Sequence, residues 1–424
     1  MRRVVVTGLD VVTPIGIGAE PFWKAALSAA SGVRRITHFD PDGLPTQIAA
    51  TLADPDMLEG FRREAGLDRP QPRGVVVGVR AARGAVHHAR AAEALRSRRA
   101  GVYVGTSGER RDLRELGAIA YASAAAGERT PVSFARGLAT APGADTAYRA
   151  LPQYLTSCVA GLFGIEGPAA TVQTACTSSA QALGAALRAI RGGGIDVALA
   201  GGADCIASPI EVQLFCLLGV LSKQNHDPAG ASRPFDARRD GFVLGEGAAF
   251  LVLEEEGHAL ARGADILAEL VGYGTACDAY RITDEAPDGG GAVRAMAAAI
   301  EDAGLRPTDI DYVNAHGTST PMNDRVETAA IKGVFGAHAR HLLVSSTKSM
   351  IGHTISAAGA IELATTVLAV RDQIAPPTIN YRVADPDCDL RYVPNAAVPA
   401  RIEAAISNSF GFGGHNDCLL VRRR

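Results

Sequence analysis

The stretch ATVQTACTSSAQALGAALRAIRGGG, residues 170–194, decides how the rest of the chain is read. Residues 171–174 form a short run with β-branched Thr and Val, the composition of a strand. From Ser178 to Arg191 the spacing becomes helical, with Ala180, Leu183, Leu187 and Ile190 on one face. Gly192, Gly193 and Gly194 follow, and glycine best tolerates the left-handed exit of a helix. Between strand and helix stands Cys176. An elbow of this kind holds a side chain at the positive end of a helix dipole, which favours thiolate over thiol. Ala175, Thr177, Ser178 and Ser179 are small enough for a substrate to approach. A nucleophilic cysteine needs both conditions, whereas most free cysteines are simply buried. This segment alone leaves both readings open.

Outward from it, the strand-then-helix pattern recurs. Residues 4–7, 101–105, 197–201, 248–254, 312–315 and 405–408 read as further strands, and residues 355–371 as a second clear helix. Alternation of short buried strands with alanine-rich helices is the mark of an α/β protein. Residues 70–150, rich in Arg, Ala and Gly and weakly periodic, read as ordered, variable surface around a substrate entrance. A boundary near residues 254–263 divides the chain into halves 1–254 and 255–424, with no repeat at the level of residue identity.

Three more segments join Cys176 as chemistry-bearing. His316 lies in AHGTST (315–320), just past a strand. Lys348 and His353 lie in STKSMIGH (346–353), before an alanine-rich helix, and NSFGFGGHN (408–416) follows the last strand. A lone histidine or a glycine cluster means little by itself. Four such segments at strand ends and helix starts point to one site.

Composition narrows the setting. The 424 residues are 47% hydrophobic and 21% charged, ample for a large core in one duplicated unit or two domains. A formal net charge of −3 recruits neither nucleic acid nor an anionic membrane, so an acidic partner must meet a local basic patch. The seven cysteines (158, 176, 205, 216, 277, 388 and 418) contain no CxxC pair and no disulfide framework, which implies a reducing cytoplasm. The opening MRRVVVTG runs straight into a strand, unlike a signal peptide, and no apolar run approaches bilayer length. No zinc spacing, P-loop or dinucleotide loop is present, so neither metal nor cofactor is expected.

These segments resemble the elongating β-ketoacyl-[acyl carrier protein] synthases of the thiolase-like superfamily (synthase II and type II polyketide ketosynthases). The matching stretches are VVVTGLDVVTPIG (4–16), QTACTSSAQALGAA (173–186), SRPFDARRDGFVLGEGAAFLVLE (232–254), NAHGTSTPMND (314–324), SSTKSMIGHTISAAGAIE (345–362) and NSFGFGGHN (408–416). The resemblance is specific from residue 171 onward and loose over residues 45–150. It implies duplicated α/β halves in a five-layered αβαβα arrangement, and a decarboxylative condensation. Cys176 accepts the acyl chain as a thioester, and His316 and His353 serve malonyl decarboxylation and carbon–carbon bond formation. Lys348 organises the histidines, and Glu362 is a structural carboxylate beside it. Phe410 and Phe412 belong to the gating loop, whose backbone N–H completes an oxyanion hole with that of Cys176. Thr318 and Thr320 hydrogen-bond the phosphopantetheine arm. The implied partners are an acyl carrier protein and a second ketosynthase-fold chain, identical or a sister subunit, joined across the strand that leads to the nucleophile.

Departures from the family pattern fall outside the catalytic set. Asp10 replaces a usual Gly, residues 105–111 read GTSGERR, His415 stands for a small polar residue, and Gln224 replaces an arginine that meets the carrier. Lys223, Arg62, Arg63 and Arg149 are candidates to supply that positive charge. Together they count against a housekeeping fatty-acid role. The leading reading is an elongating synthase that extends carrier-bound chains by two carbons in fatty-acid or polyketide synthesis. The divergent entrance region, residues 45–150, leans towards its nearest rival, a discrete polyketide or polyene ketosynthase. Three other readings fail on single residues. A silent chain-length partner lacks the nucleophile, and an initiating synthase carries Asn in place of His353. A thiolase needs a second catalytic cysteine, and Cys418 belongs to a terminal core strand.

Overall fold

Ten strands carry the architecture in the computed structural model, which describes residues 2–52, 54–67, 71–108, 117, 121, 130–140, 146–149 and 151–424. The first five are β1 (Val4–Thr13), β2 (Ala100–Gly105), β3 (Ala169–Val172), β4 (Val197–Asp204) and β5 (Gly247–Glu255). They lie side by side in the order β3-β2-β4-β5-β1. Strand β2 runs parallel to β3 and β4, and β5 runs antiparallel to β4 and β1. The next five are β6 (Ala268–Cys277), β7 (Tyr312–Asn314), β8 (Leu343–Ser345), β9 (Ala404–Gly411) and β10 (His415–Arg422). Their order is β8-β7-β9-β10-β6, with the same parallel and antiparallel relations. The second series therefore repeats the topology of the first. The two meet where Val5 pairs with Glu269 and Val6 with Ala268.

The helices complete the layers. Arg73–Ala89 packs on β1, β4 and β5, and Gly290–Asp302 packs on β6 and β10. Ser178–Arg191 and Ala358–Asp372 touch strands of both series and each other, so they form the middle layer of an αβαβα stack. Small residues permit this. A Cβ on Gly359 would lie 2.7 Å from the Ala180 backbone nitrogen. Every residue from Ala358 to Val370 is buried, as expected of a helix covered on all sides.

Three expectations change. Residues 70–150 are not surface throughout: Arg73–Ala89 buries Val75, Val76, Val77 and Val79, and β2 is a wholly buried strand. Five consecutive buried residues, Val75 to Val79, interrupt the helical spacing that Arg80, Arg83 and His87 otherwise give its outer face. Beyond residue 108 the region is described only in part, and Arg110 and Arg111 lie outside the described residues. The strand before the nucleophile spans Ala169–Val172 rather than 171–174, because Gln173 and Thr174 leave the sheet to make the turn. The helix after His353 is not continuous: a 3₁₀ turn at Ile355–Ala357 precedes Ala358–Asp372. A 3₁₀ turn at Ala175–Thr177 likewise precedes Ser178–Arg191. Each turn opens on a left-handed residue, Ala175 (φ 50°) and Ile355 (φ 45°), so both halves use one device to enter their central helix.

Candidate active site

The Cys176 elbow is locked by its own hydroxyls. Ser178 Oγ donates to the Ala175 carbonyl (2.7 Å) and accepts from Thr174 N–H (2.9 Å), and Thr177 Oγ1 donates to the Thr174 carbonyl (2.8 Å). The loop after β9 lies against it: a Cβ on Gly411 would sit 3.3 Å from Cys176 N. The backbone N–H groups of Phe412 and of Cys176 itself converge on the sulfur. Burial pushes the Cys176 thiol up to about 12, although the Lys348 charge and these two N–H groups pull the other way. The resting nucleophile is therefore a thiol.

His353 places Nε2 3.0 Å from Cys176 Sγ. Its Nδ1 faces the Ile355 N–H at 3.3 Å, and the ring stands edge-on to Phe242 with centroids 5.3 Å apart. His316 follows β7, its backbone fixed by Glu327, whose carboxylate accepts from His316 N–H (2.9 Å), Gly317 N–H (2.8 Å) and Asn408 Nδ2 (3.1 Å). Lys348 Nζ donates to the His316 carbonyl (2.6 Å), lies 3.3 Å from His316 Nδ1 and pairs with Glu362. The two imidazoles stand nearly perpendicular, 5.3 Å between centroids.

The charge states follow. Burial, then the Lys348 charge, holds both histidines well below their ordinary range, so both are neutral. Each Nδ1 already accepts a hydrogen bond, from Ile355 N–H in one ring and from the Lys348 ammonium in the other. Each Nε2 therefore carries the hydrogen and presents it to the cavity. Cys176 Sγ and the histidine nitrogens lie within 4.8 Å of one another, spacing that a metal could bridge. With both Nε2 atoms protonated, the site offers hydrogen-bond donors there rather than lone pairs. Burial raises the Glu362 carboxyl to about 7 while Lys348 opposes the rise.

The three side chains open into a cavity of about 330 Å³ whose wall also includes Thr318, Thr320, Phe410 and Phe412. Thr318 and Thr320 are 3.0 Å apart through their hydroxyls, and Thr320 also caps the helix Pro321–Phe335. The Phe410 ring lies 5.8 Å from that of His316. Thus Cys176, His316, His353, Lys348, Glu362, Phe410, Phe412, Thr318 and Thr320 come together.

The remaining candidates lie apart from this group. Arg62 and Arg63 both pair with Glu59, at 2.6 and 3.4 Å, and Lys223 is exposed. Gln224 donates to Asp240, and Arg149 belongs to the short helix Thr146–Arg149. Asp10 is buried and bound to Arg80 (2.9 Å) and Ala19 N–H (2.8 Å). His415 opens β10 opposite Gly411, and Cys418 is core in the same strand. Glu327 escaped the sequence reading. Its signal was an acidic residue three positions after Asp324 on a helix that buries both.

Residues 1–259 match the family model described as the N-terminal domain of β-ketoacyl synthase, and residues 267–382 match that of its C-terminal domain. The chain belongs to the β-ketoacyl synthase family. It is 42% identical over 431 residues to the "Putative polyketide beta-ketoacyl synthase 1" of Streptomyces cyaneus, covering 99% of this chain and 98% of that one. It is 39% identical to the "3-oxoacyl-[acyl-carrier-protein] synthase 2" of Synechocystis sp., covering 100% of this chain and 98% of that one. Among solved structures, the ishigamide ketosynthase/chain length factor superposes with a TM-score of 0.85 at 35% identity, over 100% of this chain and 99% of that one. This ketosynthase is accordingly an acyl-transferring condensing enzyme with the thiolase-like α/β fold.

Proposed function

We propose that the chain condenses malonyl-[acyl carrier protein] with an acyl chain held on Cys176, giving 3-oxoacyl-[acyl carrier protein] two carbons longer. One observation carries the reading: the Cys176 sulfur and the two imidazoles, His316 and His353, line one cavity, with Nδ1 of each imidazole already engaged.

In the first half-reaction Cys176 Sγ attacks the acyl thioester carbon. The carbonyl oxygen takes negative charge between the N–H groups of Cys176 and Phe412, and the thiol proton leaves with the carrier's thiol. In the second, the malonyl carboxylate departs as CO₂ and leaves its electron pair as a thioester enolate. The enolate oxygen accepts from His316 and His353, preorganised donors where charge develops. The enolate carbon then attacks the acyl-Cys176 carbonyl, the C–S bond breaks, and the sulfur regains a proton from solvent. Lys348 sets the His316 tautomer, and Glu362 balances the lysine. Thr318 and Thr320 hold the pantetheine arm, and Phe410 and Phe412 line the gate. No step draws on a metal or redox cofactor. Lys223, with Arg62, Arg63 and Arg149, is the basic surface offered to the carrier.

The specialised reading, a discrete type II polyketide or polyene ketosynthase with a sister subunit, is favoured by the S. cyaneus relative and by the ketosynthase/chain length factor. Among the described residues β3 pairs on one side only, with β2, and leaves the other edge for a second chain, identical or sister. No helix among the described residues is long and apolar enough to cross a membrane, and we place the reaction in the cytoplasm. The test is mass spectrometry of carrier-bound products from malonyl carrier and a panel of acyl primers. A 3-oxoacyl product two carbons longer supports the reading, and its absence with every primer refutes it. Light scattering of the purified chain decides assembly: a stable, active monomer refutes the pairing.

A further inference from the structure

The loop between β6 and the helix Gly290–Asp302 enters the wall of the reaction cavity at Thr283, Asp284 and Glu285. It is laced to the glycine-rich loop. Asp278 accepts from Ala286 N–H (3.1 Å) and Asn416 Nδ2 (2.9 Å), and Gly413 N–H donates to the Ile282 carbonyl (2.6 Å). Glu285 keeps some surface at the cavity, yet its Oε2 is buried and has no hydrogen-bond partner among the described residues. The condensation described above gives this side chain no task.

We propose that Glu285 binds the pantetheine-borne thioester, its carboxyl donating a hydrogen bond to a carbonyl oxygen of the arm as the arm enters the cavity. This rests on the ketosynthase reading.

The surroundings decide what the carboxyl offers. The charged groups that act on it are Glu327, Asp278, Asp324 and Asp284, all acidic. The nearby cations are engaged elsewhere: Arg281 with Asp284 (3.1 Å), Arg239 with Asp324 (3.5 Å), and Lys348 with Glu362. The histidines across the cavity, His316 and His353, are neutral, and Asp240 is bonded to Ser222 and Gln224. Burial and then these acids push the Glu285 carboxyl up to about 8. At neutral pH it is a carboxylic acid, with an O–H donor and no protein acceptor. The ligand expected in that cavity brings acceptors: two amide carbonyls and a thioester carbonyl. An ionised Glu285 has no hydrogen to donate and repels the malonyl carboxylate.

The experiment measures kcat and KM from pH 6.5 to 9.0 for malonyl carrier and for malonyl-pantetheine, with the wild type, Glu285→Ala and Glu285→Gln. Glu285→Ala should raise both KM values about tenfold at pH 7, the loss of one hydrogen bond, with kcat changed by about twofold or less. The wild-type KM should climb about tenfold between pH 7.5 and 9 as the donor proton is lost. Glu285→Gln, which keeps a donor and does not titrate, should show no such rise. Any titration of Cys176 or the histidines is common to all three enzymes and cancels in the ratio. Superimposable KM profiles for the wild type and Glu285→Gln overturn the proposal, as does a Glu285→Ala loss confined to kcat. If Glu285→Ala does not fold, the Glu285→Gln profile decides. A wild type that makes no 3-oxoacyl product fails the ketosynthase reading first, and this inference with it.

Discussion

Replacing Lys348 with Met removes the ammonium and keeps most of the aliphatic stem. Three contacts go: the His316 carbonyl at 2.6 Å, His316 Nδ1 at 3.3 Å, and the ion pair with Glu362. Without a donor at Nδ1, the His316 proton is free to move there from Nε2, which turns a lone pair towards the enolate oxygen. One preorganised donor is then lost, a cost of about 10²–10³ in decarboxylation, or roughly 3–4 kcal/mol. Stability falls as well. Breaking a buried pair costs about 3–5 kcal/mol, and the lower end applies because Glu362, already raised to about 7, takes up a proton near neutrality. Lys348→Met/Glu362→Gln separates the two effects. Removing the orphaned carboxylate should restore the unfolding midpoint, while labelled CO₂ release from malonyl carrier stays about a hundredfold down. The tautomer argument is refuted if Lys348→Met keeps CO₂ release within about threefold of wild type, or if the double variant recovers it.

Cys176→Ala should show no acyl mass increment while still releasing CO₂ from malonyl carrier, because the histidine donors remain; an acylated variant moves the nucleophile elsewhere. Iodoacetamide should modify Cys176 about tenfold faster per pH unit from pH 7 to 9.5 without a plateau. A raised thiol pKa of about 12 leaves the thiolate a small fraction that grows with each unit, and levelling off below pH 8 contradicts this. Gly359→Ala puts a Cβ 2.7 Å from Ala180 N, so the unfolding midpoint should fall by the equivalent of about 1–3 kcal/mol, and an unchanged midpoint shows the central helices are not in tight register.

The site was legible in the sequence where local geometry alone makes it. The helix Ser178–Arg191 is amphipathic enough to be bounded by eye, and the elbow before it follows from the strand that feeds it. Three things were not legible. Strand β6 contains Gly272 and Gly274, which read as breakers but let the strand press on the helix Gly290–Asp302: Cβ atoms there would come within 2.2 Å of Ala299 O and 2.0 Å of Ala295 O. The tautomers of His316 and His353 depend on Lys348 and on the Ile355 N–H, contacts seen only in three dimensions. The internal repeat is likewise invisible in residue identities and plain in strand order, because topology outlasts side chains. His353 was expected to serve only the second half-reaction. Its Nε2 at 3.0 Å from the sulfur puts it in a position to influence the first as well.

The central pair of helices has a consequence for synthesis. Ser178–Arg191 leaves the ribosome early, but one of its neighbours, Ala358–Asp372, ends about 120 residues after β5 completes the first half. At about 5–20 residues per second, the nascent first half waits roughly 6–24 s with an alanine-lined apolar face uncovered. That face is a natural client for a chaperone at the tunnel exit. The two halves, made as separate polypeptides, should stay in solution better when expressed together than when either is expressed alone.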